Sequence, residues 1–113
     1  MGTRMLKETI CTCEKLESVC DFAEVLFYRL IVSCDDFGRY TGKARVIKGK
    51  LFPLRDMLST DAVEAALAEL ESVGLIETYR VAGERYLWLC GWEKHQKLKY
   101  RRAEYPWKGE DEE

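Results

Sequence analysis

Apolar residues recur at helical spacing from Asp21 onward. Phe22, Leu26 and Leu30 fall four residues apart, and Phe27, Ile31 and Cys34 form an adjacent row. Together the rows make a wide apolar stripe, the pattern of a central helix packed on two sides. Asp21 and Glu24 have capping-box spacing, with Asp in place of the usual Ser or Thr, so the helix is expected to open at Asp21. Asp35, Asp36 and Gly38 are a stop and turn. A second helix is expected over about residues 44–51. Val46, Ile47 and Leu51 line one side of it, and Arg45, Lys48 and Lys50 point elsewhere. Phe52 precedes Pro53, which steers it out of the helical region. Ser59 or Thr60 then caps a third helix, in which Val63, Leu67 and Leu70 recur beside Ala66 and Val73. Gly74 is placed to end it in a left-handed turn.

After Gly74 the period changes. Residues 75–81 are rich in β-branched and aromatic side chains, Ala82-Gly83-Glu84 reads as a short hairpin turn, and residues 85–90 read as a second strand. Helix, helix, helix, hairpin is the order of a winged helix-turn-helix: an α+β fold, mainly α, with a three-helix core and a hairpin wing. Residues 21–93 are assigned to this domain. Residues 1–20, where Leu6, Ile10 and Leu16 are the apolar positions, are expected to form an arm or short strand. Residues 94–113 are expected to form a basic-aromatic tail ending in acids.

Composition narrows the class. The chain has 113 residues, of which 47% are hydrophobic and 34% charged. That fits one compact domain with an ordinary polar surface. No apolar run reaches the roughly 18 residues of a membrane span, and residues 1–10 contain no signal-like apolar core, so a cytoplasmic, non-membrane protein is expected. Cysteines stand at 11, 13, 20, 34 and 90, an odd number, and free thiols are expected. Cys11-x-Cys13 with Cys20 lacks a second pair or paired histidines, so no metal is expected. No Walker-type loop and no nucleophile–base spacing is present, so neither catalysis nor a cofactor is expected.

The net charge of −2 conceals strong segregation. Residues 39–56 hold Arg39, Lys43, Arg45, Lys48, Lys50 and Arg55 against Asp56 alone. Residues 57–77 hold Asp61, Glu64, Glu69, Glu71 and Glu77 with no basic residue. Residues 94–102 hold Lys94, Lys97, Lys99, Arg101 and Arg102 with no acid, and residues 110–113 are all acidic.

An ordered set of short patterns resembles a known family. Leu26-Phe27-Tyr28-Arg29-Leu30, Asp35-Asp36-Phe37-Gly38-Arg39 and Leu51-Phe52-Pro53 are followed by Leu70, Gly74-Leu75-Ile76, Tyr79 and Tyr86-Leu87. Trp92-x-x-His95-Gln96-Lys97 and Tyr105-Pro106 complete the set. Over roughly residues 5–107 the chain resembles the winged-helix domain of DnaD-like phage replication initiators, the replisome organisers of Gram-positive bacteria and their prophages. The resemblance implies a DNA-replication protein that binds origin DNA, with homo-oligomers and replication proteins as partners. Members with the full role carry a further region after the Tyr-Pro segment, which makes this chain an isolated DNA-binding unit or part of a longer protein.

Three surfaces are candidates for DNA, duplex or single-stranded. The first is Arg39, Lys43, Arg45, Lys48, Lys50 and Arg55, which would neutralise phosphates. The second is Lys94, Lys97, Lys99, Arg101 and Arg102, interleaved with Tyr100, Tyr105 and Trp107. Those rings would either stack on bases or dock on a partner. The third is Arg80 and Arg85, flanking the wing turn. The third helix carries no Lys or Arg and is a poor major-groove reader, so backbone contacts with little sequence readout are expected. Two other readings stay open. One is a winged-helix interaction or oligomerisation module, resting on the acidic helix and the aromatic tail. The other is a dimeric transcriptional regulator.

Overall fold

The computed structural model describes residues 3–98 and 100–109. Lys99 and the acidic residues 110–113 lie outside the described residues. The fold is a small α+β domain in which helices pack on one face of a three-stranded antiparallel sheet. Its elements in chain order are a short 3-10 turn (Glu8–Thr12), α1 (Glu14–Glu17), α2 (Asp21–Ser33), β1 (Arg39–Thr41), α3 (Ala44–Leu51), α4 (Thr60–Ser72), β2 (Ile76–Val81), β3 (Glu84–Leu89) and α5 (Trp92–His95).

The apolar stripe read from the sequence is the centre of the core. Ala23, Leu26, Phe27, Leu30 and Ile31 of α2 are buried. They meet Ile47 and Leu51 of α3, Val63, Ala66, Leu67 and Leu70 of α4, and Tyr40, Ile76, Leu87 and Leu89 of the sheet. Arg29 interrupts the apolar run of α2 because it works at the helix edge. Its guanidinium donates to the Leu51 carbonyl at 2.7 Å, satisfying an orphan acceptor at the end of α3, and lies 4.4 Å from the Phe52 ring.

The expected capping box at Asp21 is corrected. The N-cap is Cys20, whose Sγ accepts from the Ala23 amide at 3.4 Å. Glu24 instead accepts from the Tyr28 hydroxyl one turn on. That bond, then burial, raises the Tyr28 pKa to about 12. Ser59 caps α4 as expected, accepting from the Ala62 amide at 3.0 Å. Gly74 has φ +83°. It closes α4 in a Schellman arrangement, with Leu75 N–H donating to the Leu70 carbonyl and Gly74 N–H to that of Glu71.

The sheet order is β1-β3-β2. Ala82 and Gly83 both have positive φ and form a two-residue turn, so Glu84 belongs to β3 rather than to the turn. Residues 39–41, between the first two expected helices, form a strand, with Tyr40 opposite Leu87 of β3. Residues 8–17, expected as an arm or short strand, form helical turns, and Leu16 enters the core. Gly38 admits a close approach. A side chain there would meet the Trp92 ring at 2.8 Å, and its φ of +82° disfavours any other residue.

Candidate nucleic-acid interface

The three candidate surfaces differ in what already occupies them. On α3 the buried side is Ala44, Ile47 and Leu51, which leaves Arg45, Gly49 and Lys50 exposed and Lys48 half-buried. The side chains of Arg45, Lys48 and Lys50 make no ion pair or hydrogen bond among the described residues. A Cβ at Gly49 would meet nothing within 4 Å, so a partner can approach the helix backbone there. Three unneutralised cations beside an open backbone is what a phosphate-tracking surface needs.

The neighbours of this row are engaged. Lys43 pairs with Glu84 across the β1–β3 end of the sheet. Arg55 lies over the rings of Phe52 and Phe22, at 5.1 and 5.9 Å. Arg39 is built into the fold, with its guanidinium 4.8 Å from Phe37 and 5.0 Å from Trp107 while donating to the Tyr105 carbonyl at 3.1 Å. Arg39 therefore anchors the tail.

The tail is not a free basic-aromatic arm. It folds back over the face of the sheet opposite the helices. Two carboxylates of the α2–β1 turn hold it there. Asp35, 3% exposed, uses one oxygen to accept from the amides of Phe37 and Arg39 at 2.9 and 3.0 Å. Its other oxygen accepts from the amides of Glu104 and Tyr105 at 2.9 and 3.1 Å. Asp36 accepts from the Arg102 amide at 2.8 Å and from the Arg4 guanidinium at 3.0 Å. Tyr79 OH donates to the Pro106 carbonyl at 2.7 Å.

The tail rings fill the face. Tyr105 lies 5.5 Å from Tyr40 and 6.2 Å from Tyr86. Trp107 meets Trp88 at 5.3 Å and Tyr79 at 5.5 Å, both edge-on. Edge-to-face contacts at these separations are favourable beyond the area they bury. Burial raises the Tyr105 hydroxyl pKa, and raises that of Tyr40 to about 12. Tyr105 and Trp107, expected to face bases or a partner, thus face their own sheet, while Tyr100 is exposed. Arg101 pairs with Glu93 at 2.6 Å. The side chains of Lys94, Lys97 and Arg102 have no acidic partner among the described residues.

At the hairpin, Arg80 and Arg85 stand directly across from each other. Like charges there repel. Arg85 turns to Glu64 of α4 at 2.9 Å, and Arg80 remains exposed, donating to the Gly83 carbonyl at 3.4 Å. The acids of α4 are engaged in the same way. Glu69 accepts from the Cys20 amide at 2.8 Å, and Glu71 accepts from the amide and hydroxyl of Thr78. The outward positions Asp61, Ala65 and Ala68 give α4 no donor for a base edge.

The remaining chemistry is sparse. Described residues include no cluster of three metal-ligating side chains. Cys11 and Cys20 are exposed, and Cys34 is buried, which pushes its thiol to about 12. A cavity of about 280 Å³ lies beneath the N-terminal segment, walled by carbon from Ile10, Leu16, Phe27, Ile31, Leu89 and Trp92. Gln96 is part of the lining, and its side-chain amide bonds both the N–H and the carbonyl of Met5, a clamp between residues too far apart in the chain to be read from local pattern. No helix among the described residues is long and apolar enough to cross a membrane.

Neither a family model, nor a curated protein, nor a solved structure matches this chain.

Proposed function

We propose that this chain is a winged-helix DNA-binding protein that grips duplex DNA mainly by its phosphates. In this reading α2, α3 and α4 are the three-helix core, the β2–β3 turn is the wing, and α3 supplies the principal contact. The observation that carries it is the set Arg45, Lys48 and Lys50, free of carboxylates and spread across the unburied side of α3 on either side of an open Gly49. Arg80 at the wing and Lys94, Lys97 and Arg102 add unneutralised charge. Little sequence readout follows, because α4 offers no Arg, Lys, Asn or Gln. A place in phage-type DNA replication follows from the resemblance to DnaD-like initiators. The interaction-module reading is the weaker one, since the tail rings and most α4 carboxylates have partners within the chain.

The test is a titration of fluorescent random-sequence duplex at several salt concentrations. Affinity should fall steeply with salt, with a slope set by the number of phosphates engaged. Reversal of Arg45, Lys48 and Lys50 to Glu should abolish binding at moderate salt. No binding by the wild type at low salt overturns the proposal, and selection of one palindromic site would favour a transcriptional regulator.

A further inference from the structure

The turn between α3 and α4 presents a feature that phosphate contacts do not use. Leu54 is 93% exposed and Met57 is 96% exposed, in the turn that follows Lys50, the last cation of α3. Single exposed apolar side chains are ordinary, but two nearly bare ones in one short turn form a protrusion.

The turn is anchored rather than slack. Phe52 is in the core at one end, and Leu58 packs against the core at the other. Between them Arg55 N–H donates to the Phe52 carbonyl at 3.2 Å, and Leu58 N–H to the Arg55 carbonyl at 3.3 Å. The Arg55 guanidinium lies over the Phe52 and Phe22 rings, at 5.1 and 5.9 Å, at the base of the turn. Leu54 and Met57 are left pointing outward from a fixed support.

Resting on the DNA-binding reading, we infer that Leu54 and Met57 are an apolar wedge that inserts between base pairs of duplex DNA while Arg45, Lys48 and Lys50 hold the flanking phosphates. Charge complementarity selects the occupant, because an apolar tip next to an acid-free cationic helix suits a polyanion with an apolar interior. Asp56, exposed within the turn, and Asp61, exposed in the first turn of α4, oppose this, and the three α3 cations outnumber them. Apolar wedges of this kind partly unstack a base step and kink the duplex. Flexible pyrimidine–purine steps are the cheapest to open, so duplexes containing TA or CA steps should be preferred over stiff A-tracts.

The test compares wild type, the Leu54→Ser, Met57→Ser double variant and the triple α3 charge reversal on duplexes carrying 2-aminopurine at a TA step. Both substituted side chains lie in solvent, so the double variant should melt like the wild type. Its affinity should fall about tenfold or more, as expected from losing buried Leu or Met surface. The slope of affinity against salt should not change, because no phosphate contact is lost. Wild type should raise the 2-aminopurine emission, and the double variant should not. If the double variant binds as tightly as wild type while the α3 reversal does not bind, the wedge is wrong and the phosphate reading stands. If wild type is a dimer that the double variant breaks at unchanged DNA affinity, the occupant is a second copy and the wedge is wrong. If wild type binds no duplex, both fall.

Discussion

The two basic stretches of this chain look alike as sequence and serve opposite purposes in the fold. On α3 the cations Arg45, Lys48 and Lys50 stand clear of any acid, because the helix buries only its Ala44, Ile47 and Leu51 side. In the tail, the backbone is bound by Asp35 and Asp36, and the rings of Tyr105 and Trp107 are packed on the sheet. The first stretch is surface laid over a finished core. The second helps to finish the core. Charge density alone does not separate them; the partners each stretch has found do.

The sharpest way to break this contrast is at Asp35. Its carboxylate accepts four backbone N–H bonds while nearly fully buried. Asp35→Ala leaves those donors unsatisfied and frees the tail, so a loss of roughly 3–5 kcal/mol is expected, from about 1–3 kcal/mol per orphaned buried group after partial rehydration. Urea unfolding monitored by tryptophan emission measures it. A loss below about 1 kcal/mol would mean that the tail is not held as described.

Alkaline pH gives a smaller effect at the same end of the molecule. Burial lifts Tyr40 from 10.0 to about 12 and raises Tyr105 as well. The folded state therefore keeps phenolic protons that the unfolded chain gives up first. Stability from this source is complete below pH about 10 and drains away as pH climbs toward about 12. Tyr40 should contribute about 1 kcal/mol of this loss by pH 11. Thermal melts across that range should show the decline, shallower in Tyr40→Phe; a flat profile would contradict the packing of the tail against Tyr40.

The sequence made local features legible. The stripes of α2, α3 and α4, the Ser59 cap, the Gly74 stop and the hairpin all depend on residues a few positions apart. Pairings formed across the chain were not legible. Strand β1 is three residues that become a strand only by pairing with Trp88, Leu87 and Tyr86. Cys20 caps α2 through sulfur, where Asp21 was the conventional choice. Asp35 reads as a turn residue and is one, but its grip on Glu104 and Tyr105 spans most of the chain. The candidate surface followed the same rule. The charge runs were visible, whereas the acids that neutralise Lys43, Arg85 and Arg101 come from β3, α4 and α5.

In the proposed reading α3 meets DNA while the tail rings of Tyr105 and Trp107 hold the fold. The most direct test is duplex affinity, at one low salt concentration, for Trp107→Ala beside the triple reversal of Arg45, Lys48 and Lys50, both kept below their melting temperatures. Trp107→Ala should melt earlier yet bind duplex as wild type does, and the α3 variant should melt as wild type does yet not bind. Loss of binding in Trp107→Ala with the α3 variant unaffected would contradict that reading.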